Sequence, residues 1–376
     1  MKIAIIGIRG IPVIYSGFET LAEKLSLGLV KAGHKVTVYC RRGYGPNAKS
    51  YKGIKLINLP SPRSKNWETF VHSLLSTLHA CFKGEFDLVY FIGVGSSLFA
   101  LLPRLFGIKT AVNVDGLDWR REKWGPVAKA YLAASELLAC YLPNVVITDS
   151  LFIKRYYRRK FSKESVYLPY GYEPHPGKAK EILKRFGLAR GEYLVWVGRL
   201  VPDNHTDQLI GAFKAVKTPF KCVVIGDDRL NGPFKGRLTR ATEKDPRVIF
   251  TGFLEREKYS ALVKNAFLYV ETKRSGGTHP SLVEAMGFGT LVVSNDHPGA
   301  REVLGKGAIF YDKGSTSSLR KALKAALSMP KKARDRLAKE ALGIVKEKYS
   351  WGKIINGYEK IFSGLTGSAP RRSPGN

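Results

Sequence analysis

Several groups of residues in this 376-residue chain have types and spacing suited to chemistry, and two of them suit a phosphate. In ETKRSGGTHPSLVEAMGFGTLVVSN, residues 271–295, the pair Gly276-Gly277 lets backbone approach a ligand closely. Pro280 fits the first turn of a helix, so the N–H groups of Ser281 and Leu282 are expected to be free to take phosphate oxygens. Glu284 falls about one turn further on, where a carboxylate can accept both hydroxyls of a ribose. In WVGRLVPDN, Arg199 follows a strand ending at Val197-Gly198, and its planar, permanently charged fork suits a pyrophosphate. The plain alternatives are a glycine-rich helix cap with a solvated Glu284 and a surface-loop arginine. Convergence of phosphate-like and ribose-like groups in 271–295 outweighs the first; the second stays open.

The first half carries its own candidates. GIRGIPVIYSGFE places Gly7, Gly10 and Gly17 between a strand and a helix, with Ser16 and Glu19 spaced as a capping box. The spacing is not GxGxxG, and the second strand ends in Cys40-Arg41-Arg42 rather than the acid that holds an NAD ribose, although paired arginines can hold an NADP 2′-phosphate. In NVDGLDWRREKWGP, residues 113–126, Asp115 and Asp118 stand beside Trp119, Arg120, Arg121 and Trp124 at a strand end. Acids there can serve as a general base, and tryptophan faces stack on sugar rings. Asp149, after NVVIT, and Tyr170, in LPYGYEP, lie at comparable strand ends, although each type also serves in caps and turns. The run KRYYRRKFSK, residues 154–163, surrounds Tyr156, Tyr157 and Phe161 with Lys154, Arg155, Arg158, Arg159 and further lysines. On a helix it gives a basic, aromatic face for an anionic membrane or for RNA, against the common alternative of a solvated charged face.

The elements that must position these residues are legible as alternating short apolar runs and amphipathic stretches. KIAIIG, HKVTVYC, IKLINL, DLVYFIG, KTAVNV, NVVITD and VYLPY are strand candidates in the first half; EYLVWVG, KCVVIG, RVIFTG, AFLYVE, LVVSN and AIFY follow in the second. Helical patterns at 19–32, 67–82 and 127–141 lie between the early strands. Such alternation specifies an α/β protein with parallel sheets covered by helices. We expect two doubly wound, Rossmann-like domains facing an interdomain cleft, with ligands outside the carboxyl ends of the strands. Pro174 and Pro176 with neighbouring glycines mark the boundary, giving domains at 1–173 and 174–350. A helix at 351–365 is expected to pack back on the first domain, ahead of a disordered basic tail, 366–376.

Sixty-two Lys+Arg against 31 Asp+Glu leave a net charge of +31, with 44% apolar residues. The second figure excludes a disordered basic tail, and the first implies an anionic partner. Cys40, Cys81, Cys140 and Cys222 form no CxxC pair and no zinc spacing, which predicts a reduced compartment and no structural metal. The N-terminus MKIAIIGIRG leaves no room for a signal peptide, and the uncharged stretch 88–103 is too short and too broken by glycines to span a bilayer. These features predict a cytoplasmic protein, soluble or peripheral on the membrane.

With those residues in view, nearly the whole chain resembles nucleotide-sugar-dependent glycosyltransferases of GT-B fold, family 4 type. GIRGIPVIYSGFETLAEKL and DGLDWRREKW resemble a subgroup of rhamnosyltransferases; VGRLVPDN, GFLEREKYSALVKNA and GGTHPSLVEAMGFGTLVV resemble donor-domain signatures. The resemblance implies a nucleoside-diphosphate-sugar donor held by Arg199 at the diphosphate and Glu284 at the ribose, with Gly17, Tyr170, Gly276, Gly277, Ser281 and Leu282 as further donor contacts. It implies no obligatory metal and no cofactor. Rhamnose or a hexose would pass, with retention of configuration, to a glycan or polyprenyl-diphosphate-linked acceptor in surface polysaccharide or glycoconjugate synthesis. Asp115, Asp118 or Asp149 would orient or deprotonate the acceptor hydroxyl. Trp119, Trp124, Lys154, Arg155, Arg158 and Arg159 would meet the acceptor or the inner face of the membrane. Two positions depart from the family pattern: Asn204 stands where a lysine commonly follows the arginine by five residues, and Gly276 where a glutamate commonly precedes Glu284 by eight. Rival readings are an NADP-dependent oxidoreductase using Arg41 and Arg42, a nucleotide-sugar epimerase, and a non-catalytic RNA-binding protein, nucleic acid being the less expected partner.

Overall fold

The computed structural model describes residues 1–13, 17–62, 64, 67–120, 124–173, 179–228, 233–274 and 277–368. Ser16, Arg121, Pro174, Pro176, Gly276 and the basic tail from residue 369 lie outside the described residues. The chain forms two compact units, one comprising Met1–Tyr170 with the segment from Trp351 onward, the other Gly171–Ser350.

The first unit is built on strands β1 (Lys2–Ile6), β2 (Lys35–Arg41), β3 (Ser50–Tyr51), β4 (Ile54–Leu59), β5 (Leu88–Ile92), β6 (Lys109–Val114), β7 (Val145–Thr148) and β8 (Val166–Tyr167). They form one sheet in the order β3-β4-β2-β1-β5-β6-β7-β8. Only the short β3 runs antiparallel to its neighbour. The apolar runs are unbroken because helices cover both faces: β1 buries Ile3, Ala4, Ile5 and Ile6 alike, and β5 is buried throughout. Order in the sheet reverses between β1 and β5, which makes their carboxyl ends the switch point. β3, two residues long, left no periodic signal in the sequence.

The second unit holds β9 (Tyr193–Val197), β10 (Lys221–Ile225), β11 (Val248–Gly252), β12 (Leu268–Glu271), β13 (Leu291–Asn295) and β14 (Ile309–Tyr311). Its order is β11-β10-β9-β12-β13-β14, all parallel, with the switch point between β9 and β12. Val195, Tyr269 and Val292 face one buried cluster while Leu194, Val270 and Val293 face the other, so each strand serves both layers.

The last helix, Trp351–Thr366, completes the first unit. Trp351, Ile354, Tyr358 and Phe362 recur at helical spacing and enter the same core as Ile3, Leu25 and Tyr90. The hydroxyls of Tyr90 and Tyr358 are 3.0 Å apart, and His34 Nε2 lies 3.1 Å from Glu359. A Cβ on Gly28 would stand 2.5 Å from Ile355 Cδ1, so the helix Gly17–Lys31 needs glycine to seat this partner.

Candidate functional site

In the second unit the sheet's carboxyl edge is shaped by close backbone approach. After β9, Gly198 N–H donates to the Ile225 carbonyl at 3.0 Å. Gly226 has φ +130°, and a Cβ there would collide with the Gly198 carbonyl oxygen. Arg199 follows, half-buried. Its loop continues into the short turn Pro202–Asn204. Asn204 is 7% exposed, and its Nδ2 donates to the Arg199 carbonyl at 2.7 Å. The Asn204 carbonyl in turn accepts the Thr272 hydroxyl at 2.5 Å, and Thr272 Oγ1 accepts the indole N–H of Trp196 at 2.8 Å. The position where the family pattern has a cation is thus filled by a structural brace.

β12 ends beside this brace. Glu271, 1% exposed, accepts the Lys273 backbone N–H at 3.0 Å, and its Oε2 lies 3.3 Å from Lys273 Nζ and 3.4 Å from His279 Nδ1. Burial pushes this carboxyl up, but the charges of Lys273 and His279 and the hydrogen bonds outweigh it and hold the group well below the usual carboxylate range. His297, just past β13, has its ring centroid 6.4 Å from that of His279. Burial first, and then the neighbouring His279, push the His297 ring down to about 4.

His279 precedes the helix Pro280–Gly287. The Leu282 N–H is not free: it closes a tight first turn onto the His279 carbonyl at 3.0 Å, which corrects the expectation of a phosphate contact there. The Ser281 N–H has no hydrogen-bond partner among the described residues, and its hydroxyl accepts from Tyr269 at 3.0 Å. Glu284 is buried, one oxygen 2.6 Å from Arg256 Nη2 and the other accepting the Tyr259 hydroxyl. It is therefore not solvated, and it is rigidly held. Gly287 makes room for the Tyr172 ring, onto which a Cβ would press. Gly277 is buried ahead of this helix.

In the first unit, Gly17 opens the helix Gly17–Lys31, and Glu19 uses one carboxylate oxygen on the Arg9 N–H at 3.1 Å. Arg41 is buried, 2.9 Å from Glu68 Oε2, with Nη2 donating to Thr69 Oγ1 at 3.2 Å. A guanidinium committed in this way offers nothing to a 2′-phosphate, which removes half of the NADP reading; Arg42 alone is exposed. Asp115 and Asp118 are half-buried past β6, while Asp149 is buried directly after β7. Tyr170 is buried in the first unit's core, correcting the expectation that it meets a donor. Burial, then Asp115 and Asp149, push its phenol well above the usual range.

The helix Leu151–Phe161 also differs from expectation. Tyr157 and Ile153, one turn apart, are fully buried, and the Tyr156 hydroxyl donates to Glu136 at 2.6 Å. Lys160 lies 3.1 Å from the same carboxylate and over the rings of Tyr156, Phe161 and Trp119. The aromatics anchor the helix inward, leaving Arg155, Arg158 and Arg159 exposed and Lys154 half-buried. Trp119 and Trp124 pack partly buried against the neighbouring core, with the Arg120 guanidinium over the Trp119 ring at 4.9 Å.

Sequence reasoning placed no role on Glu271, Lys273, His279, His297, Arg256 or Tyr259. A readable signal existed for the first three: an acid and a lysine one residue apart at a strand end, ahead of a glycine pair and a histidine-proline helix start. Taken together, the edge of β9, β12 and β13 presents cations, a free helix-start amide and a fixed buried carboxylate, the equipment for holding an anionic ligand that also carries hydroxyls. Among the described residues, no group of three or more His, Cys, Asp or Glu is placed to hold a metal ion.

Residues 179–342 match the family described as glycosyl transferases group 1. Residues 1–173 match a domain of unknown function, DUF1972. The chain is 27% identical over 198 residues to the uncharacterized glycosyltransferase MJ1069 of Methanocaldococcus jannaschii, a match covering 50% of this chain and 49% of that one. It thus spans about half the length of that curated relative. Among solved structures it is similar to sucrose-phosphate synthase from Thermosynechococcus elongatus, with 19% identity, TM-score 0.83, and 98% and 100% of the two chains covered. It is also similar to Anabaena HepE in complex with UDP-glucose, with 17% identity, TM-score 0.78, and 97% and 100% covered. At such identities the likeness concerns the fold: two parallel-sheet α/β domains of GT-B type.

Proposed function

We propose that this chain, whose residues 179–342 match the glycosyl transferases group 1, moves a sugar from a nucleoside-diphosphate-sugar to an acceptor hydroxyl. The observation that carries the reading is the placing of Arg199 and the start of the helix Pro280–Gly287 after β9 and β12, the two strands that flank the second sheet's switch point. Breaking the sugar–phosphate bond passes through an oxocarbenium-like state while negative charge grows on the diphosphate. Preformed donors aimed at that charge do most to lower the barrier in such reactions. Arg199 and the Ser281 N–H are these donors, Gly276-Gly277 allow close approach, and Glu284 takes the ribose hydroxyls once Arg256 and Tyr259 have fixed its orientation.

In this reading the first unit takes the acceptor. Asp115, Asp118 or Asp149 orients or deprotonates its hydroxyl, and Trp119 and Trp124 border it. The sugar is rhamnose or a hexose, transfer retains configuration, and the acceptor is a glycan or a polyprenyl-diphosphate-linked saccharide in surface polysaccharide synthesis. A cytoplasmic protein held on the inner membrane face fits the net charge of +31 and the exposed Arg155, Arg158 and Arg159. It also fits Phe82 and Phe106, 77% and 55% exposed and edge to face at 6.2 Å, beside the exposed Leu105. No helix among the described residues is long and apolar enough to cross a membrane.

Thermal unfolding with UDP, GDP, dTDP and NADP tests the reading directly. Stabilisation by one of the nucleoside diphosphates, but not by NADP, is the expected result. Incubating the protein with labelled nucleotide-sugars and lipid extract should then transfer label to a lipid-linked product. Stabilisation by NADP alone, or label released only as free sugar, would replace the reading with an oxidoreductase or an epimerase. Failure to float with anionic liposomes would remove the membrane from it.

A further inference from the structure

We propose that Lys273 is a diphosphate-binding residue, supplying the positive charge that Asn204 does not. This rests on the reading of the second unit as the donor site. Asn204 is neutral and supplies no charge, its amide donates to the Arg199 carbonyl, and its main-chain carbonyl accepts the Thr272 hydroxyl. The same Thr272 carries the chain from β12 straight to Lys273. β12 pairs with β9 with Leu268 level with Leu194 and Tyr269 level with Val195. Beyond that ladder side chains tie the two strand ends together, the Trp196 indole N–H donating to Thr272 Oγ1 at 2.8 Å and the Thr272 hydroxyl donating to the Asn204 carbonyl at 2.5 Å. Two cations therefore follow adjacent strands whose ends are joined, at the switch point where such sheets bind anions.

Lys273 is also held ready. Its backbone N–H and its ammonium both engage the Glu271 carboxylate, and its side chain keeps 16% of its surface exposed. An ammonium has three donors, so one bond to Glu271 leaves two for phosphate oxygens. Glu271, deep in the strand end, acts as a positioning residue: its Oε1 takes the Lys273 backbone N–H, and its Oε2 holds the ammonium while also facing His279. Without those two neighbours a buried carboxylate would repel a diphosphate, and so its pairing belongs to the construction of the site.

The test is calorimetric titration of the full chain with UDP, GDP and dTDP, each against its own nucleoside, for wild type, Lys273→Met and Lys273→Arg. Lys273→Met should lower affinity for the preferred diphosphate about 10–100-fold, the range for losing a hydrogen bond to a charged group, with nucleoside affinity unchanged; Lys273→Arg should stay within a few-fold of wild type. Glu271→Gln combined with Lys273→Met removes the stranded carboxylate and should show the same loss if the single variant folds poorly. In the wild-type protein, saturating diphosphate should shield Lys273 from acetylation by an amine-reactive ester, read by mass spectrometry. Unchanged preference for diphosphate in the methionine variant, or an unshielded lysine, overturns the proposal and leaves the donor site standing. Wild-type protein that binds each diphosphate no better than its nucleoside overturns both.

Discussion

The Asn204 amide donates to the Arg199 carbonyl at 2.7 Å, so the residue that replaces a lysine of the family pattern holds in place the arginine it would have assisted. Asn204→Ala removes one of two donors to that carbonyl, the Val201 N–H at 2.9 Å remaining, and is expected to cost about 0.5–1.5 kcal/mol of stability in urea unfolding. Turnover should fall with it, because Arg199 then samples other positions. Full stability with full turnover would show the brace to be idle.

Arg199→Ala removes the donor itself. Turnover at saturating nucleotide-sugar should drop roughly 10²–10³-fold, the usual cost of deleting one preformed donor to developing charge. A near-normal rate would take Arg199 out of the chemistry.

Glu284 separates two roles. Glu284→Ala leaves Arg256 and Tyr259 without their acceptor, and since the Arg256 side chain is 28% exposed, water softens the loss to about 1–2 kcal/mol. Glu284→Gln keeps an acceptor and should be closer to wild type in stability. Both should raise the KM for donor about tenfold or more, because a charged acceptor for two ribose hydroxyls is gone. A donor KM that follows stability instead would mark Glu284 as structural.

Acid should weaken both units. Burial, then the charge of Arg41, pushes His72 in the first unit down to about 4; burial, then His279, does the same to His297 in the second. An unfolded histidine titrates near 6.5, so between about pH 6.5 and 4 the unfolded chain binds the extra protons. Stability is full above that window and falls as pH drops through it, by roughly 3 kcal/mol per ring. Glu271 acts in the same direction lower down: its depressed carboxyl contributes stability above the unfolded value near 4.5, lost as pH falls further. Urea midpoints from pH 7.5 to 4 should decline, and His72→Asn and His297→Asn should each flatten part of the decline. Slopes identical to wild type in both variants would refute the assignment.

The parallel strands were readable because a strand buried on both faces leaves an unbroken apolar run, as in KIAII and LVYFI. The place of Arg199 just past a strand was readable for the same reason, since that strand end is marked by Val197-Gly198. Glu271, Lys273 and His279 left a local signal, but that Thr272, between the first two, bonds the Asn204 loop after β9 depends on strand order, which no local pattern contains. Arg41 misled because Glu68, which neutralises it, comes from a later helix. The aromatic face of residues 154–163 misled by side: its spacing is helical, but only the sheet beneath decides that Ile153 and Tyr157 turn inward.

The closing helix gives the molecule an order of assembly. Ile354, Tyr358 and Phe362 fill the same core as β1 and β5, so the portion translated first lacks part of its interior until residues 351–366 emerge from the ribosome. The second unit, continuous between Gly171 and Ser350, has no such wait. Residues 171–350 can therefore mature on the ribosome while residues 1–170 still await the helix that completes their interior.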